Sequence, residues 1–170
     1  NQSSKNRDKK EEISAPDKER VRAMIEDAKK ASSEEGATDV LDALLLFAEN
    51  ARASDIHLEP QEKISIVRLR IDGILHDVFE MPQSLHRRLV AVLKIRTRMR
   101  TDEHRTPQDG RFAFYTNEGK VDGRASVMPT TDGEKAVLRL LSSESHQLSL
   151  EELGLEDEDF VYWVEVFYRK

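Results

Sequence analysis

The sequence predicts an α+β fold in which an antiparallel sheet carries helices at one face. Three observations support this class. Apolar residues recur at helical spacing in three long segments, and six shorter segments alternate apolar with polar residues. Turn residues such as Asp72 and Gly73 separate the alternating segments, and strands and helices do not alternate regularly along the chain. Successive strands are therefore expected to return through hairpins.

Composition restricts the kind of protein this can be. The 170 residues suffice for one domain with appendages, and 38% of them are hydrophobic while 35% are charged. No apolar run reaches the length of a membrane span, and the absence of cysteine excludes disulfides, thiolate zinc sites and a cysteine nucleophile. These features fit a cytosolic protein. A net charge of −6 argues against a nucleic-acid-binding surface, although residues 86–105 have a local net charge of +5.

Residues 1–37 are predicted to form a linker with one short helix. Residues 1–13 are polar and carry charges of both signs, which is typical of a disordered segment. Ser14 begins a pattern typical of a helix capping box, and the helix that follows would extend to about residue 31. Its apolar stripe consists of Val21, Ile25 and Ala28. Gly36 is expected to break the chain before the next helix.

The domain proper is predicted over residues 38–148 and contains two further helices. One extends from Thr38 to about Ala53, and the other from Pro82 to about Met99. Both repeat apolar residues at the spacing of a helix that faces a core. The stripes are Leu41, Leu44, Leu45, Ala48 and Ala51 in the first, and Leu85, Leu89, Val92, Ile95 and Met99 in the second. The basic residues of the second helix are expected largely on its solvated surface.

The first three strands are predicted over residues 55–59, 64–71 and 74–79. The first alternates, so that Ile56 and Leu58 point inward while Asp55, His57 and Glu59 point outward. Asp-Gly is the preferred sequence of a type I′ turn, and it joins the second strand to the third. This turn pairs Ile71 with Ile74, Val67 with Val78 and Arg68 with Asp77, the last as a cross-strand ion pair.

A second hairpin is predicted between residues 111–116 and 120–127, with a third strand over residues 134–141. A two-residue loop at residues 118–119 would place Phe112 opposite Ala125 and Phe114 opposite Gly123, which gives one apolar and one polar face. Residues 128–133 then form a turn. In this register Arg111 and Arg124 share the polar face. They could contact an anion such as phosphate, or they could pair with Asp122 or another nearby carboxylate.

Complete catalytic machinery is absent from this sequence. It contains no Walker-type phosphate loop, no G-x-S-x-G and no histidine pair at metal-ligand spacing. Residues 149–170 are predicted to form a linker and a helix. That helix is apolar and aromatic enough to require a partner surface.

Six ordered motifs give a specific resemblance. They are A-S-D-I-H-L-E-P (53–60), V-R-L-R-I-D-G-I-L (67–75), R-T-P-Q-D-G-R (105–111), V-D-G-R-A-S (121–126), P-T-T-D-G-E (129–134) and L-S-L-E-E-L-G-L (148–155). Together they resemble the amino-terminal domain of the bacterial ATPases of type II secretion and type IV pilus assembly. The resemblance covers roughly residues 39–160.

This resemblance implies a PAS-like domain joined to a RecA-like ATPase domain in a homo-hexameric motor. It further implies that the domain packs on the neighbouring subunit's ATPase domain and directs arginines at its nucleotide, here Arg111 of Q-D-G-R and Arg124 of V-D-G-R. ATP and Mg²⁺ would be bound by the parent protein and not by this segment alone. The motor would lie in the cytoplasm, at the membrane's inner face, with inner-membrane platform proteins as partners and no nucleic acid.

Because no Walker loop precedes Lys170, we expect the segment to be an amino-terminal part that does not hydrolyse ATP alone. Two other functions remain open. In an RNA-binding module, residues 111–115 would act as an aromatic strand beside the basic helix. In a small-ligand sensor, a PAS-like sheet would enclose the ligand, but the sequence shows no polar cluster on the expected core face.

Overall fold

A computed structural model describes residues 15–30, 34–117 and 119–141, so the disordered segment predicted over residues 1–13 and the linker and helix predicted over residues 149–170 lie outside the described residues. The described residues form three helices: α1 Ala15–Lys30, α2 Glu34–Asn50 and α3 Gln83–Arg96. The strands are β1 Asp55–Pro60, β2 Ile64–Ile71, β3 Ile74–Pro82, β4 Gln108–Thr116, β5 Gly119–Thr130 and β6 Gly133–Leu141. The predicted α+β class is confirmed, and α1 makes part of the amino-terminal extension helical.

The six strands form one antiparallel sheet in the order β3-β2-β1-β6-β5-β4. The first strand is therefore central, between β2 and β6. One hydrophobic core joins the helices to one face of the sheet, through sheet residues such as Ile56, Leu58 and Leu138. The opposite face is polar, and no described helix packs on it.

The helix α2 begins before the predicted cap at Thr38. Gly36, which was expected to break the chain, lies within the helix. The extra turn buries Ala37 completely, and Val40 follows it into the same core. Burial of these side chains outweighs the roughly 1 kcal/mol helix penalty of a glycine.

The helix α3 buries a different stripe from the predicted one. Leu85 and Leu89 are buried as predicted, but Ile95 is 62% exposed, and Leu93 and Lys94 take its place in the core. Both stripes satisfy helical spacing, and the contacts of Lys94 described below decide between them. The helix ends at Arg96, earlier than predicted.

The β2–β3 hairpin confirms the predicted turn and shows one irregularity. Asp72 and Gly73 have φ of 50° and 80°, the left-handed values that a type I′ turn requires. The pairing of Arg68 with Asp77 is also confirmed. A bulge next to Arg68 shifts Val67 to face Phe79, so the predicted pairing of Val67 with Val78 is wrong. The bulge allows both Val78 and Phe79, consecutive residues, to be buried.

The β4–β5 hairpin has the predicted faces but a register that differs by two residues. Thr116 pairs with Gly119, so the turn lies one residue earlier than predicted, and Phe112 lies opposite Gly123. A shift of two leaves every side chain on its predicted face. Gly123 accommodates the Phe112 ring, since a Cβ there would lie 2.4 Å from its Cζ atom. In this register Arg111 lies directly opposite Arg124.

The strand β5 is also longer than predicted. It continues through Pro129 to Thr130, and Gly133 begins β6, so the turn occupies only residues 131 and 132. This extension lengthens the β5–β6 ladder and fixes its register. Arg124 consequently lies opposite Arg139 as well as Arg111.

Candidate functional site

A row of charged residues crosses the polar face of the sheet. Its members lie opposite one another on successive strands, in the order Arg111, Arg124, Arg139, Asp55 and Arg70. Residues that face each other across antiparallel strands have Cα atoms about 4.5–5.5 Å apart. Three arginines, Arg111, Arg124 and Arg139, are therefore adjacent, and we call them the arginine row.

Asp55 holds the two arginines beside it. Its Oδ1 accepts a hydrogen bond from Nε of Arg139 at 3.1 Å, while Oδ2 lies 3.4 Å from Nε of Arg70. The hydroxyl of Ser54 donates to Oδ2 at 2.8 Å. Burial of Asp55 raises its pKa, but the bonds from Ser54 and Arg139 and the charges of both arginines outweigh burial and hold that pKa below its ordinary value. The carboxylate is therefore ionised at neutral pH.

The side chains of Arg111 and Arg124 are exposed and make no ion pair or hydrogen bond with any residue that the structure describes. The carboxylate that the sequence offered as a partner, Asp122, instead lies 2.7 Å from Nζ of Lys120. Another carboxylate nearby, Asp109, accepts a hydrogen bond from Ser126. The alternative in which Asp122 pairs with either arginine is therefore wrong.

The arginine row lines a shallow cleft of about 510 Å³, together with Asp55, Asp109 and Ser126. Like charges placed directly opposite each other across a sheet are destabilising. Arg124 has such a neighbour on both sides, and no carboxylate in the described part of the chain binds it. An anion in this cleft would relieve the repulsion and could accept several charge-assisted hydrogen bonds.

A second group of charged residues on the same face surrounds Glu59. This carboxylate lies 2.8 Å from Nη1 of Arg68 and 2.7 Å from Nζ of Lys135. The pKa of Glu59 is low because these bonds and charges exceed the opposing effect of its burial. Glu59 thereby neutralises the cations beside it, so this part of the face offers no unpaired positive charge comparable to the arginine row.

His57 lies between these two groups on the polar face, where the sequence predicted it, but its side chain is buried. Both ring nitrogens lack a hydrogen-bond partner among the described residues, and Nδ1 lies 3.6 Å from Glu59. Burial lowers the pKa of His57, and the charge of Lys135 lowers it further. His57 and Asp55 do face the polar side as predicted; they are buried because their strand is central and long side chains of β2 and β6 cover it.

Comparison with known proteins identifies the family of the chain. A family model described as "Type II/IV secretion system protein" matches residues 30–168. The chain belongs to this family.

Curated relatives agree with the assignment. The chain is 38% identical over 146 residues to the type IV pilus assembly ATPase PilB of Myxococcus xanthus, an alignment that covers 85% of this chain and 26% of the relative. It is 44% identical over 116 residues to the type II secretion system protein HxcR of Pseudomonas aeruginosa, covering 68% of this chain and 25% of the relative. The chain thus spans about a quarter of the length of these relatives.

A solved structure is also similar. It is the crystal structure of the pilus retraction motor PilT with bound ADP, which matches with a TM-score of 0.46 and 24% sequence identity. That match covers 69% of this chain and 33% of the other.

This secretion-system protein also contains a polar cluster on the helix side of the sheet that its sequence did not reveal. Nζ of Lys94 lies 2.5 Å from Oε1 of Glu134 and donates to the carbonyl of Glu103 at 2.7 Å, although Lys94 is only 1% exposed. Nδ1 of His104 lies 2.9 Å from the other oxygen of Glu134. The cluster holds the loop that connects α3 to β4, and so supports the strand that carries Arg111.

His86 is a further buried polar residue on the helix side of the sheet. Its Nε2 lies 2.8 Å from the carbonyl oxygen of Glu134, which can only accept, so this nitrogen carries a proton. Nδ1 lies 2.7 Å from the hydroxyl of Ser65, whose single proton is also directed at the carbonyl oxygen of Glu59, 3.0 Å away. Burial lowers the pKa of His86 despite the favourable contacts with Glu134. The expectation that the core face lacks a polar cluster is therefore wrong.

Burial of two of the three aromatic rings in residues 111–115 weakens the RNA-binding alternative, and only Tyr115, at 76% exposure, remains accessible on this strand. Phe112 and Phe114 are buried at 5% and 8% exposure, so neither ring can stack on a base. The basic segment is partly neutralised, since Arg96 pairs with Asp42 and Lys94 is buried.

None of the described helices is long and apolar enough to cross a membrane. In the described ranges, no three or more His, Asp or Glu side chains are grouped so that they could hold a metal ion.

Proposed function

We propose that this chain is the amino-terminal domain of a hexameric ATPase motor for type II secretion or type IV pilus assembly. In this proposal Arg111 and Arg124 complete the nucleotide site of the neighbouring subunit. Relatives named as type IV pilus assembly ATPases support the proposal that the motor is an ATPase. The observation that carries the proposal is the direct pairing of two exposed arginines, with no carboxylate partner among the described residues, in an open cleft.

The chemistry suits these side chains. Phosphoryl transfer from ATP develops negative charge on the transferred group and on the leaving oxygen, and positioned cations stabilise that charge. A guanidinium presents a planar fork of N–H donors that matches phosphate oxygens, which an ammonium group does not. The sheet fixes the backbone of both arginines, so both side chains extend from the same face and can reach one phosphate group. Mg²⁺–ATP itself would be bound by the RecA-like domain.

The arrangement also favours contact with a second subunit. The arginines lie on the polar sheet face, and the helices of this domain pack on the other face. A surface that approaches the polar face could therefore bring a nucleotide to the row. We propose the RecA-like domains of the same and neighbouring subunits as partners, inner-membrane platform proteins as further partners, and the cytoplasm at the membrane's inner face as the location.

Substitution of the two arginines in the full motor tests the proposal. Arg111→Ala and Arg124→Ala should each lower ATP turnover by about 10²-fold or more, the scale of a positioned charge in phosphoryl transfer. Lysine should restore little activity, because it lacks the guanidinium fork. Arg87→Ala is a matched control, since Arg87 is exposed on α3, away from the cleft, and should leave turnover unchanged.

Stability of the same variants separates function from folding. Exposed charges contribute at most about 1 kcal/mol, so the free energy of unfolding of this chain should change by no more than that. A stable hexamer that keeps full turnover with both arginines replaced by alanine would defeat the proposal. A large loss of stability that accounts for the lost turnover would equally assign the arginines a structural role.

A further inference from the structure

We propose that the carboxyl-terminal end of the helix α3 binds the acidic segment 148–159 of a neighbouring copy of this chain. The binding surface consists of Val92, Ile95 and Arg98, and we call it the α3 outer surface. The inference requires several copies to assemble, as in the proposed motor, but it assigns no role to the arginine row. The two proposals can therefore fail separately.

The α3 outer surface has an apolar centre. Ile95 is 62% exposed although its spacing in the helix is that of a core residue. Val92 lies one turn earlier on the same side and is only partly buried. A single exposed apolar residue is common on protein surfaces and would need no explanation by itself. The residue that follows on the same side, Arg98, gives this one a particular character.

Arg98 has an unfavourable backbone conformation. It comes directly after the C-cap residue Thr97 and has a φ of 58°, in the left-handed region that glycine usually occupies after a helix. Its backbone N–H donates to the carbonyl of Ile95 at 3.2 Å, so the end of the helix holds it there. Any residue with a Cβ atom is strained in this conformation. Glycine would suit the fold better, which indicates that the side chain of Arg98 serves binding.

The charge of Arg98 is also available to a partner. Its neighbours in sequence are already paired, Arg96 with Asp42 and Arg100 with Asp102. The side chain of Arg98 is exposed and makes no hydrogen bond or ion pair with a described residue. An exposed apolar side chain beside such a guanidinium suits a partner segment that combines apolar and acidic residues.

Residues 148–159 of this chain have that composition. They contain six acidic residues and no basic residue, whereas residues 86–105 have a net charge of +5. Leucine occurs among the acidic residues, at positions 148, 150, 153 and 155. Glu151 and Glu152 have a leucine on either side, so the segment offers carboxylate and apolar side chains close together. This complementarity of charge and polarity within one sequence identifies the occupant.

The reach of the chain favours the surface of a neighbouring copy. Glu134, near the start of β6, contacts α3 through Lys94, whereas Leu141 lies at the far end of the strand. Seven residues of strand span about 24 Å. The next seven residues, from Leu141 to Leu148, extend at most about 25 Å. A return to α3 of the same copy would need almost complete extension, and a neighbouring copy removes this restriction.

Cross-linking of two variants of this chain tests the inference, because the sequence contains no native cysteine. One variant carries Ile95→Cys and the other Leu153→Cys, and a short bismaleimide joins two chains that bring these positions together. The mixture should give a covalent heterodimer, identified by mass, and much less of it in about 1 M salt, which screens the charges. In the matched control, Tyr115→Cys replaces Ile95→Cys. Tyr115 is 76% exposed on β4 and should give little product.

Substitutions of Arg98 in the chain with Ile95→Cys separate binding from folding. Arg98→Gly removes the charge and the backbone strain, so Tm should stay the same or rise while the initial rate of cross-linking falls about fivefold. Arg98→Glu should lower the rate further, and Glu151→Arg with Glu152→Arg in the other chain should restore it. Arg87→Glu is the matched control, because Arg87 is exposed on α3 outside the α3 outer surface. It should change the rate by less than about twofold.

Three results would overturn the inference. The first is a rate no higher than that of the Tyr115→Cys control, or one that neither substitution of Arg98 lowers. The second is a chain with both cysteines that cross-links only within itself, which would place the segment on its own copy. The third is a loss with Arg98→Glu that arginine at positions 151 and 152 does not restore, because Arg98 then has another partner. CD spectra check that each variant folds, and ATP turnover of the full motor decides the proposed function independently.

Discussion

Replacing Gly123 with alanine should destabilise the hairpin that carries Arg111 and Arg124. A Cβ at this position would lie 2.4 Å from Cζ of Phe112 and 2.7 Å from Cε1, well inside contact distance. Phe112 is 5% exposed, so its ring cannot move aside without leaving the core. Overpacking costs about 1–3 kcal/mol, and the lower entropy of the unfolded alanine chain offsets about 0.4–1 kcal/mol of it. We expect the free energy of unfolding to fall by about 1–2 kcal/mol.

A second substitution tests the register of the hairpin. Phe112→Leu removes the ring atoms that the new methyl group would meet, so Gly123→Ala should cost about 1 kcal/mol less in that background. Phe114→Leu is the matched control, because Phe114 is also buried but lies opposite Val121. Urea unfolding followed by CD measures every variant. Additive effects with Phe112→Leu, or a coupling with Phe114→Leu instead, would refute the register.

Three further predictions concern charge. Lys94→Ala should lower the free energy of unfolding by about 3 kcal/mol, because it leaves Glu134 without its buried partner. Urea titrations measure this loss, and a loss below about 1 kcal/mol would contradict the prediction. Arg124→Ala should leave thermal stability unchanged or raise it, since it removes a charge flanked by two like charges. A large fall in Tm would show that Arg124 has a structural role. Burial lowers the pKa of His57 and of His86 below 6.5, so the unfolded chain binds protons that the folded chain does not. Stability should therefore fall as pH decreases from about 6.5 towards 5, by at most about 1.4 kcal/mol per unit for each histidine, and constant stability across that window would contradict the assignment.

Local chemistry predicted those features that a few neighbouring residues determine. Asp72 and Gly73 specify their turn because only certain residues accept left-handed φ values. The alternation of Phe112 and Phe114 with polar residues determined which face of the hairpin is buried. An even error in register does not change the faces, so Arg111 and Arg124 were correctly placed together although the pairing was wrong by two residues.

Features that depend on distant partners could not be predicted. Two stripes of α3 satisfy helical spacing, and the choice between Ile95 and Lys94 depends on Glu134, 40 residues away. The bulge in β3 exists because the core accepts two consecutive side chains, which alternation alone does not indicate. Likewise, Arg139 was visible as one of several recurring arginines, but its place beside Arg124 and Asp55 follows from the order of strands in the sheet.

Mixing two inactive forms of the full motor tests most directly whether Arg111 and Arg124 act on the neighbouring subunit. One form carries Arg111→Ala with Arg124→Ala, and the other lacks the lysine of its phosphate-binding loop. If the arginines act in trans, a subunit with an intact phosphate-binding loop forms a complete site when its neighbour carries both arginines. Random mixing of equal amounts of the two forms in a ring then restores about a quarter of the sites. Recovered ATP turnover in the mixed hexamers is the expected result. If the mixture is as inactive as its components although mixed hexamers form, the arginines do not act across the subunit boundary.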